Sequence, residues 1–335
     1  MSTKASEKVI GPRIPDLRTV LLDLSLRLRV KRNVGHLVSD AGLRKSAAAF
    51  RESAKNTHTP PFVGVTRVDI AGRTAEWVTA TDETDKAILY FHGGGFFFSS
   101  PKDHRPLIWR LARATSRRVL AIDYRKAPDH VFPAWLDDAF ATYQHALAEG
   151  IAPEDIVLSG DSAGGNIALA LTHRLRREGV PLPDSLVLFS PWADLTCSGK
   201  TYGTKSRRDA MFKGPATREL GRYLTRGRDP RDPEISPVHA DFTGFPRMLV
   251  FAGSTEIFLD DARAVVRKAA AAGVDARLVV YRHMPHIFPM FAGVAPRAKE
   301  AFPIVKAFVD EGRRTSPREA DVSPKRSAVA SPVRA

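Results

Sequence analysis

Residues 155–165 read Asp-Ile-Val-Leu-Ser-Gly-Asp-Ser-Ala-Gly-Gly. A short apolar run, Ile156-Val157-Leu158, meets Gly160-Asp161-Ser162-Ala163-Gly164, and an Ala/Leu-rich helical pattern begins at once. Strand, tight turn and helix with a serine at the apex is the layout of a nucleophile elbow. So sharp a turn strains the serine's backbone and is tolerated only between small neighbours, here Gly160, Ala163, Gly164 and Gly165. It exposes Oγ at a helix N-terminus, where N–H dipoles favour developing negative charge. A Gly-rich turn with an incidental serine is the bland alternative, so the partners of such a serine have to be sought.

A serine hydroxyl attacks well only if a neutral imidazole takes its proton, and that imidazole needs a carboxylate to fix its tautomer. His286, in Met284-Pro285-His286-Ile287-Phe288, follows the last strand expected in the chain, and its Pro-bounded turn favours it over His283. The acid should follow the preceding strand, where the chain reads Gly253-Ser254-Thr255-Glu256-Ile257-Phe258-Leu259-Asp260-Asp261. Glu256 is nearest the strand end; Asp260 and Asp261 lie a turn further on, where carboxylates often cap a helix. The charge on a tetrahedral intermediate needs backbone N–H donors, and His92-Gly93-Gly94-Gly95 after an apolar strand can turn several N–H groups towards one point. No Lys-Ser/Thr completes a phosphate loop, no Gly-x-Gly-x-x-Gly opens a helix near the N-terminus, and no metal-ligand spacing occurs. Neither a cofactor nor a metal is expected.

The elements that must position these groups follow from periodicity. Residues 1–16, with Gly11-Pro12 and Pro15, read as a loose lead-in. Leu17, Val20, Leu21, Leu24 and Leu28 mark one face of a helix, and a second helix at about 40–56 carries Leu43, Ala47, Phe50 and Ala54, with Asp40 as a candidate cap. Thr57-His58-Thr59-Pro60-Pro61 reads as a linker. Strands are expected at 65–70 and 74–79, joined as a hairpin, and at 87–91. Alternating segments follow: helix 103–115, strand 118–123, helix 133–148, strand 155–159, helix 163–178, strand 185–190, strand 247–252, helix 259–272, strand 276–281 and helix 296–311. That rhythm implies a mostly parallel sheet covered on both faces. Residues 195–240, crowded with Gly, Lys, Arg, Asp and Pro, interrupt it as an insertion. The expected organisation is a helical cap segment at 1–60, a catalytic domain at 61–312 with 195–240 as a second cap segment, and a disordered basic tail at 313–335.

The chain has 335 residues, 43% hydrophobic and 26% charged, enough for one large α/β domain. One cysteine, Cys197, excludes an internal disulfide framework and fits a reducing compartment. The first eight residues lack the apolar stretch of a signal peptide, so a cytoplasmic location is expected. Of the net charge of +14, residues 1–60 carry +7 and residues 311–335 carry +3, which leaves the body nearly balanced. With no aromatic-interleaved basic stripe or zinc-finger spacing, nucleic acid is not an expected partner.

Strand-His92-Gly93-Gly94-Gly95, then Asp123-Tyr124-Arg125-Lys126-Ala127-Pro128, then Gly160-Asp161-Ser162-Ala163-Gly164-Gly165 resembles the hormone-sensitive-lipase-like esterases, the Gly-Asp-x-Gly lipolytic family. Ser190-Pro191-Trp192-Ala193-Asp194-Leu195 and the acid and histidine segments resemble it too, so the likeness covers about residues 65–312. It implies an α/β-hydrolase fold, with an eight-stranded sheet and a helical cap. It also implies Ser162 as nucleophile, His286 as general base, and Gly94, Gly95 and Ala163 as oxyanion donors. The family commonly carries its acid as Asp in Gly-x-x-Asp-Pro-Leu-x-Asp; this chain has Glu256 in that place and keeps Asp260 at the second carboxylate position.

The expected activity is cofactor-independent hydrolysis of small hydrophobic esters through an acyl-enzyme, with Phe96 and Phe97 beside the oxyanion donors as substrate-binding rings. The Gly-Ser-x-Glu-x-x-Leu-Asp-Asp segment also resembles lactone hydrolases, which makes an ε-lactone the alternative substrate. Plant gibberellin receptors share the likeness but lack the catalytic histidine, whereas His286 and Ser162 are both present here. The expected partner is thus a small-molecule ester or lactone, with a homodimer as the candidate assembly. A membrane-surface role for the helix near 16–32, with Arg27, Arg29, Lys31 and Arg32 as an interfacial anchor, is the minority reading.

Overall fold

The structure, a computed structural model, describes residues 6–32, 38–53, 59–81 and 84–315. Among the described residues nine strands are formed: β1 (Ser6–Ile10), β2 (Gly64–Ile70), β3 (Arg73–Thr79), β4 (Ala87–Phe91), β5 (Arg118–Ile122), β6 (Ile156–Asp161), β7 (Ser185–Phe189), β8 (Arg247–Gly253) and β9 (Ala276–Tyr281). They make one sheet in the order β1-β9-β8-β7-β6-β4-β5-β3-β2. β2 and β3 form the expected antiparallel hairpin, turning at Ala71 (φ 52°) and Gly72 (φ 76°), and β3 joins β5 antiparallel; every other pairing is parallel.

The ninth strand corrects the sequence reading, which counted eight and left residues 1–16 as a lead-in. β1 pairs in parallel with β9, from Ser6 opposite Arg277 to Ile10 opposite Tyr281. Four of its five residues are exposed, so no buried alternation could announce it. Its backbone is ordered by the open edge of β9, and its own side chains contribute little.

Helices cover both faces. In β4, Ala87, Leu89 and Phe91 pack in one core while Ile88 and Tyr90 pack in the other, the period-2 signature of a strand buried on both sides. The first core takes in α4 (Ala134–Ala148), α5 (Ala163–Arg177) and α8 (Leu259–Ala271); the second takes in α3 (Pro101–Thr115) and α9 (Ala301–Thr315). α9 extends three residues past the expected catalytic boundary at 312, and the rest of the expected tail, 316–335, lies outside the described residues.

Ahead of the hairpin stand α1 (Leu17–Leu26), capped by the Asp16 carboxylate accepting from the Thr19 N–H at 3.0 Å, and α2 (Asp40–Ser53). The cap of α2 is Ser39, whose Oγ accepts from the Gly42 N–H; the carboxylate of Asp40 instead accepts the Tyr223 hydroxyl at 2.5 Å. Ala54 and the first two residues of the expected linker, Thr57 and His58, fall outside the described residues. The 195–240 segment, between β7 and β8, contributes a single turn, α6 (Thr201–Thr204), and α7 (Gly214–Leu224). No helix among the described residues is long and apolar enough to cross a membrane.

Candidate active site

β6 is buried throughout and ends at Asp161; Ser162 then takes φ 54°, ψ −119°, and α5 begins at Ala163. A non-glycine residue holds such dihedrals only where its surroundings impose them. Here the Ser162 N–H donates to the Phe189 carbonyl at 2.9 Å and the Trp192 N–H donates to the Ser162 carbonyl at 3.0 Å, which ties the turn to the end of β7. The glycines leave no room for a side chain. A Cβ on Gly164 would stand 1.8 Å from the Phe91 carbonyl oxygen, and one on Gly160 would stand 2.4 Å from Gly164. Small residues are therefore a condition of bringing α5 this close to β4 and β6.

β6, β7, β8 and β9 are consecutive neighbours, so the segments leaving their C-terminal ends lie side by side. Glu256 lies just past β8 and His286 just past β9, and the Glu256 carboxylate meets His286 Nδ1 at 2.7 Å. Its other oxygen accepts the Gly253 N–H at 2.7 Å and the Ser190 hydroxyl at 3.0 Å, while Ser190 Oγ accepts the Ile287 N–H at 3.1 Å. The acid and the histidine loop are thus locked together through one serine at the end of β7. Phe212 stands edge-on to the imidazole at 5.1 Å and Phe258 lies 4.9 Å away. His286 Nε2 is buried and has no hydrogen-bond partner among the described residues, which leaves it available as a proton acceptor. Burial pushes the Glu256 carboxyl above its ordinary value, against the opposing pull of His286 and Ser190.

The neighbouring candidates go elsewhere. His283 is half-buried and its Nε2 lies 2.8 Å from the Arg13 carbonyl, facing the N-terminal segment. Asp260 accepts the Thr201 N–H at 3.0 Å at the start of α8, and Asp261 accepts from the Asp194 N–H and the Tyr202 hydroxyl.

The loop after β4 is fixed to the serine turn through Asp161. One carboxylate oxygen accepts the Gly93 N–H at 2.9 Å and the Tyr90 hydroxyl at 2.5 Å, and the other faces His104 Nε2 at 3.2 Å. Burial alone would raise the Asp161 carboxyl, but His104, Tyr90 and Gly93 together hold it below its ordinary value. Burial likewise opposes the charge on His104, and Asp161 outweighs it and raises the imidazole. Gly94 and Gly95 have φ 115° and 57°, a conformation glycine adopts without strain. Among the described residues the N–H groups of Gly94, Gly95 and Ala163 donate to no protein acceptor. Three donors without partners flank the serine turn, an arrangement able to receive a developing oxyanion.

A narrow apolar pocket opens at Ser162. Its cavity volume is about 30 Å³. Phe97, Phe98, Trp192, Phe212 and Phe258 line it, with Leu220 of α7 and Leu43 of α2 closing it. Phe96 does not line it, contrary to the sequence reading. Its positive φ of 65° turns the ring into the core, 4.7 Å from Trp135, while Phe97 and Phe98 face the cavity.

Sequence reasoning passed over Asp209, which is buried in the inserted segment. Its carboxylate accepts the N–H groups of Met211 at 2.7 Å, Phe212 at 2.9 Å and Ile257 at 2.8 Å. It thereby holds the Phe212 ring on His286 and braces the turn that carries Glu256. Burial raises its carboxyl above the ordinary value. Nothing in the spacing of a charged, Gly-rich stretch marks such a residue. Ser190 and His104 were also passed over; each acts through contacts distant in sequence. Among the described residues, no group of three or more His, Cys, Asp and Glu is placed to hold a metal ion.

Residues 88–290 match a protein family described as having the alpha/beta hydrolase fold. An acetyl-hydrolase of Streptomyces hygroscopicus is 37% identical over 259 residues, 77% of this chain and 86% of that protein. An esterase of Acinetobacter venetianus is 37% identical over 249 residues, 74% of this chain and 82% of that protein. Among solved structures, an esterase from the bacterial hormone-sensitive lipase (HSL) family superposes with a TM-score of 0.83 at 33% identity, over 89% of this chain and 99% of that one. EstE5, in crystals soaked with p-nitrophenyl butyrate, superposes with a TM-score of 0.82 at the same identity and coverage.

Proposed function

This chain belongs to the α/β-hydrolase family as a hormone-sensitive-lipase-like carboxylesterase, and from that premise we propose that it cleaves small hydrophobic esters through an acyl-enzyme carried by Ser162, His286 and Glu256. The observation that carries the reading is the 2.7 Å contact of His286 Nδ1 with Glu256, made at the same C-terminal end of the strands as the strained Ser162 turn.

In this mechanism Ser162 Oγ attacks the ester carbonyl carbon as its proton passes to His286 Nε2. The carbonyl oxygen becomes an oxyanion, held by the N–H groups of Gly94, Gly95 and Ala163. As the tetrahedral intermediate collapses, the bond to the alcohol oxygen breaks and His286 returns the proton to it. A water molecule, deprotonated by the same nitrogen, then attacks the acyl carbon and releases the acid with Ser162 restored. Glu256 keeps the Nδ1 proton on the ring and stabilises the imidazolium, a task to which its longer arm suits it as well as the family's aspartate. Ser190 and Asp209 act as positioning residues, and Phe97 and Phe98 receive the apolar part of the substrate. α2 and α7, one from each proposed cap segment, roof the pocket.

The narrow, ring-lined cavity supports a short acyl group. A panel of p-nitrophenyl esters of rising chain length, run beside ε-caprolactone, tests the reading and ranks esters against lactones. Ser162→Ala should lower kcat on every active substrate by on the order of 10⁴-fold or more, with the circular dichroism spectrum unchanged. Near-full turnover in that variant would assign the nucleophile elsewhere. Binding of these esters without turnover by the native chain would favour a receptor on the same fold.

A further inference from the structure

The apolar face that periodicity picks out on α1 is not buried. Leu17, Val20, Leu21 and Leu24 are 72%, 45%, 55% and 51% exposed, and they continue at either end into Ile14 at 78% and Leu28 at 61%. At 3.6 residues per turn the four helical positions fall within a stripe about 100° wide. The opposite side of the helix does the packing. Thr19 and Leu26 are buried there, and Leu26 forms a buried cluster with Ala210 and Met211 of the inserted segment, against which Leu22 and Phe212 pack. Isolated exposed leucines are ordinary, but a continuous stripe of six large apolar side chains is the kind of patch that marks an interaction surface.

The charges around the stripe select its occupant. Arg13, Arg18 and Arg32 are exposed beside it. The two acidic residues of the segment are both engaged within it: Asp16 caps the helix at Thr19, and Asp23 holds the Arg27 side chain at 2.6 Å. Arg27 and Lys31, expected from sequence to serve as anchor charges, turn inward instead. Arg27 donates to the carbonyls of Arg207 and Arg208, and Lys31 to those of Ser206 and Asp209 at 2.7 Å and 2.5 Å. They clamp the helix to the body, and a net-basic apolar face is left outward. Two copies of such a face would bring like charges together, whereas anionic headgroups complement it.

We propose that the outer face of α1 docks the enzyme on an anionic lipid surface, with Ile14, Leu17, Val20, Leu21, Leu24 and Leu28 in the acyl boundary and Arg13 and Arg18 against the headgroups. The docked helix packs through Leu26 on Ala210 and Met211, the cluster against which Phe212 of the Ser162 pocket also packs, so a lipid surface would lie on the side of the molecule next to that pocket. The docking does not depend on the catalytic roles proposed above.

The test uses the full chain and sucrose-loaded vesicles of phosphatidylcholine, with and without 30 mol% (about one lipid in three) phosphatidylglycerol. The native protein should sediment with the anionic vesicles, and Leu17→Gln/Leu21→Gln/Leu24→Gln should bind at least about tenfold more weakly. Turnover of a soluble p-nitrophenyl ester should be unchanged in that variant, which also reports that it folds. Arg13→Gln/Arg18→Gln should lose the preference for anionic over neutral vesicles. Independently, a fluorophore on Leu21→Cys should shift to the blue on anionic vesicles, since Cys197 is buried and will not take the label. Failure of the native chain to sediment, equal binding by the triple variant, or an unshifted fluorophore would overturn the proposal. A native dimer converted to monomer by the triple variant, with no vesicle binding by either, would assign the face to a second copy. Ser162→Ala should bind vesicles like the native chain, so loss of hydrolysis and loss of docking are read separately.

Discussion

Three carboxylates lie within the eight residues that follow β8, and each has a different partner: Glu256 meets His286, Asp260 the start of α8 and its Thr201 contact, and Asp261 the Tyr202 hydroxyl. The division decides which substitution should matter for catalysis. Glu256→Gln retains size and polarity but removes the charge that stabilises the imidazolium, so kcat should fall roughly 10²–10⁴-fold with little change in KM. Asp260→Asn removes a contact remote from the imidazole and should cost less than about threefold. Steady-state kinetics on one p-nitrophenyl ester decides between them, and the reverse order would make Asp260 the acid. His283, turned towards the Arg13 carbonyl, should tolerate alanine with most of its activity retained.

At the scale of elements, the strand ends are tied laterally by polar groups that also titrate. Asp123, just past β5, lies 3.7 Å from His92 Nε2 and also accepts from Lys126. Burial pushes its carboxyl up, but the nearby His92 imidazole and the Lys126 ammonium prevail and hold it at about 2, below the ordinary 3.8. A carboxyl lowered on folding contributes stability above its unfolded value, and that contribution is lost as pH falls through the folded one. The native protein should therefore lose stability between about pH 4 and pH 2 more steeply than Asp123→Asn. Urea unfolding at a series of pH values measures the difference. Identical acid limbs would mean that Asp123 does not anchor the loop that carries Gly94 and Gly95.

The molecule as a whole closes its pocket with parts drawn from both ends of a long stretch of chain. Leu43 in α2 is fully buried and shares the cavity with Leu220 in α7, although 177 positions separate them in the numbering. Truncating it opens space where the substrate's apolar part is proposed to lie. Leu43→Ala should move the preferred p-nitrophenyl ester towards longer acyl chains by one or two carbons. It should also destabilise the fold by about 2–4 kcal/mol. An unchanged chain-length profile would place Leu43 outside the substrate's reach.

Much of this was legible in the chain because it depends on local chemistry. The serine turn requires small neighbours within four residues, and the parallel strands require apolar runs of five or six, so Gly160, Gly164 and the alternation from 87 to 281 announce themselves. The partners proposed for Ser162 could be named too, since the loops that leave adjacent strands are few and Glu256 and His286 lie in two of them. The tertiary structure alone could decide what depends on contacts across the fold. β1 exists because β9 offers an unpaired edge, and its exposed residues carry no pattern of their own. Phe96, Phe97 and Phe98 are one composition but two environments, separated by a single positive φ. Asp209 and Ser190 matter through hydrogen bonds to residues 48 and 66 positions away. The periodicity of α1 was correctly read as a helix, yet it does not say which side faces the body. Both sides carry apolar residues, and the side that packs is the one that meets Ala210 and Met211.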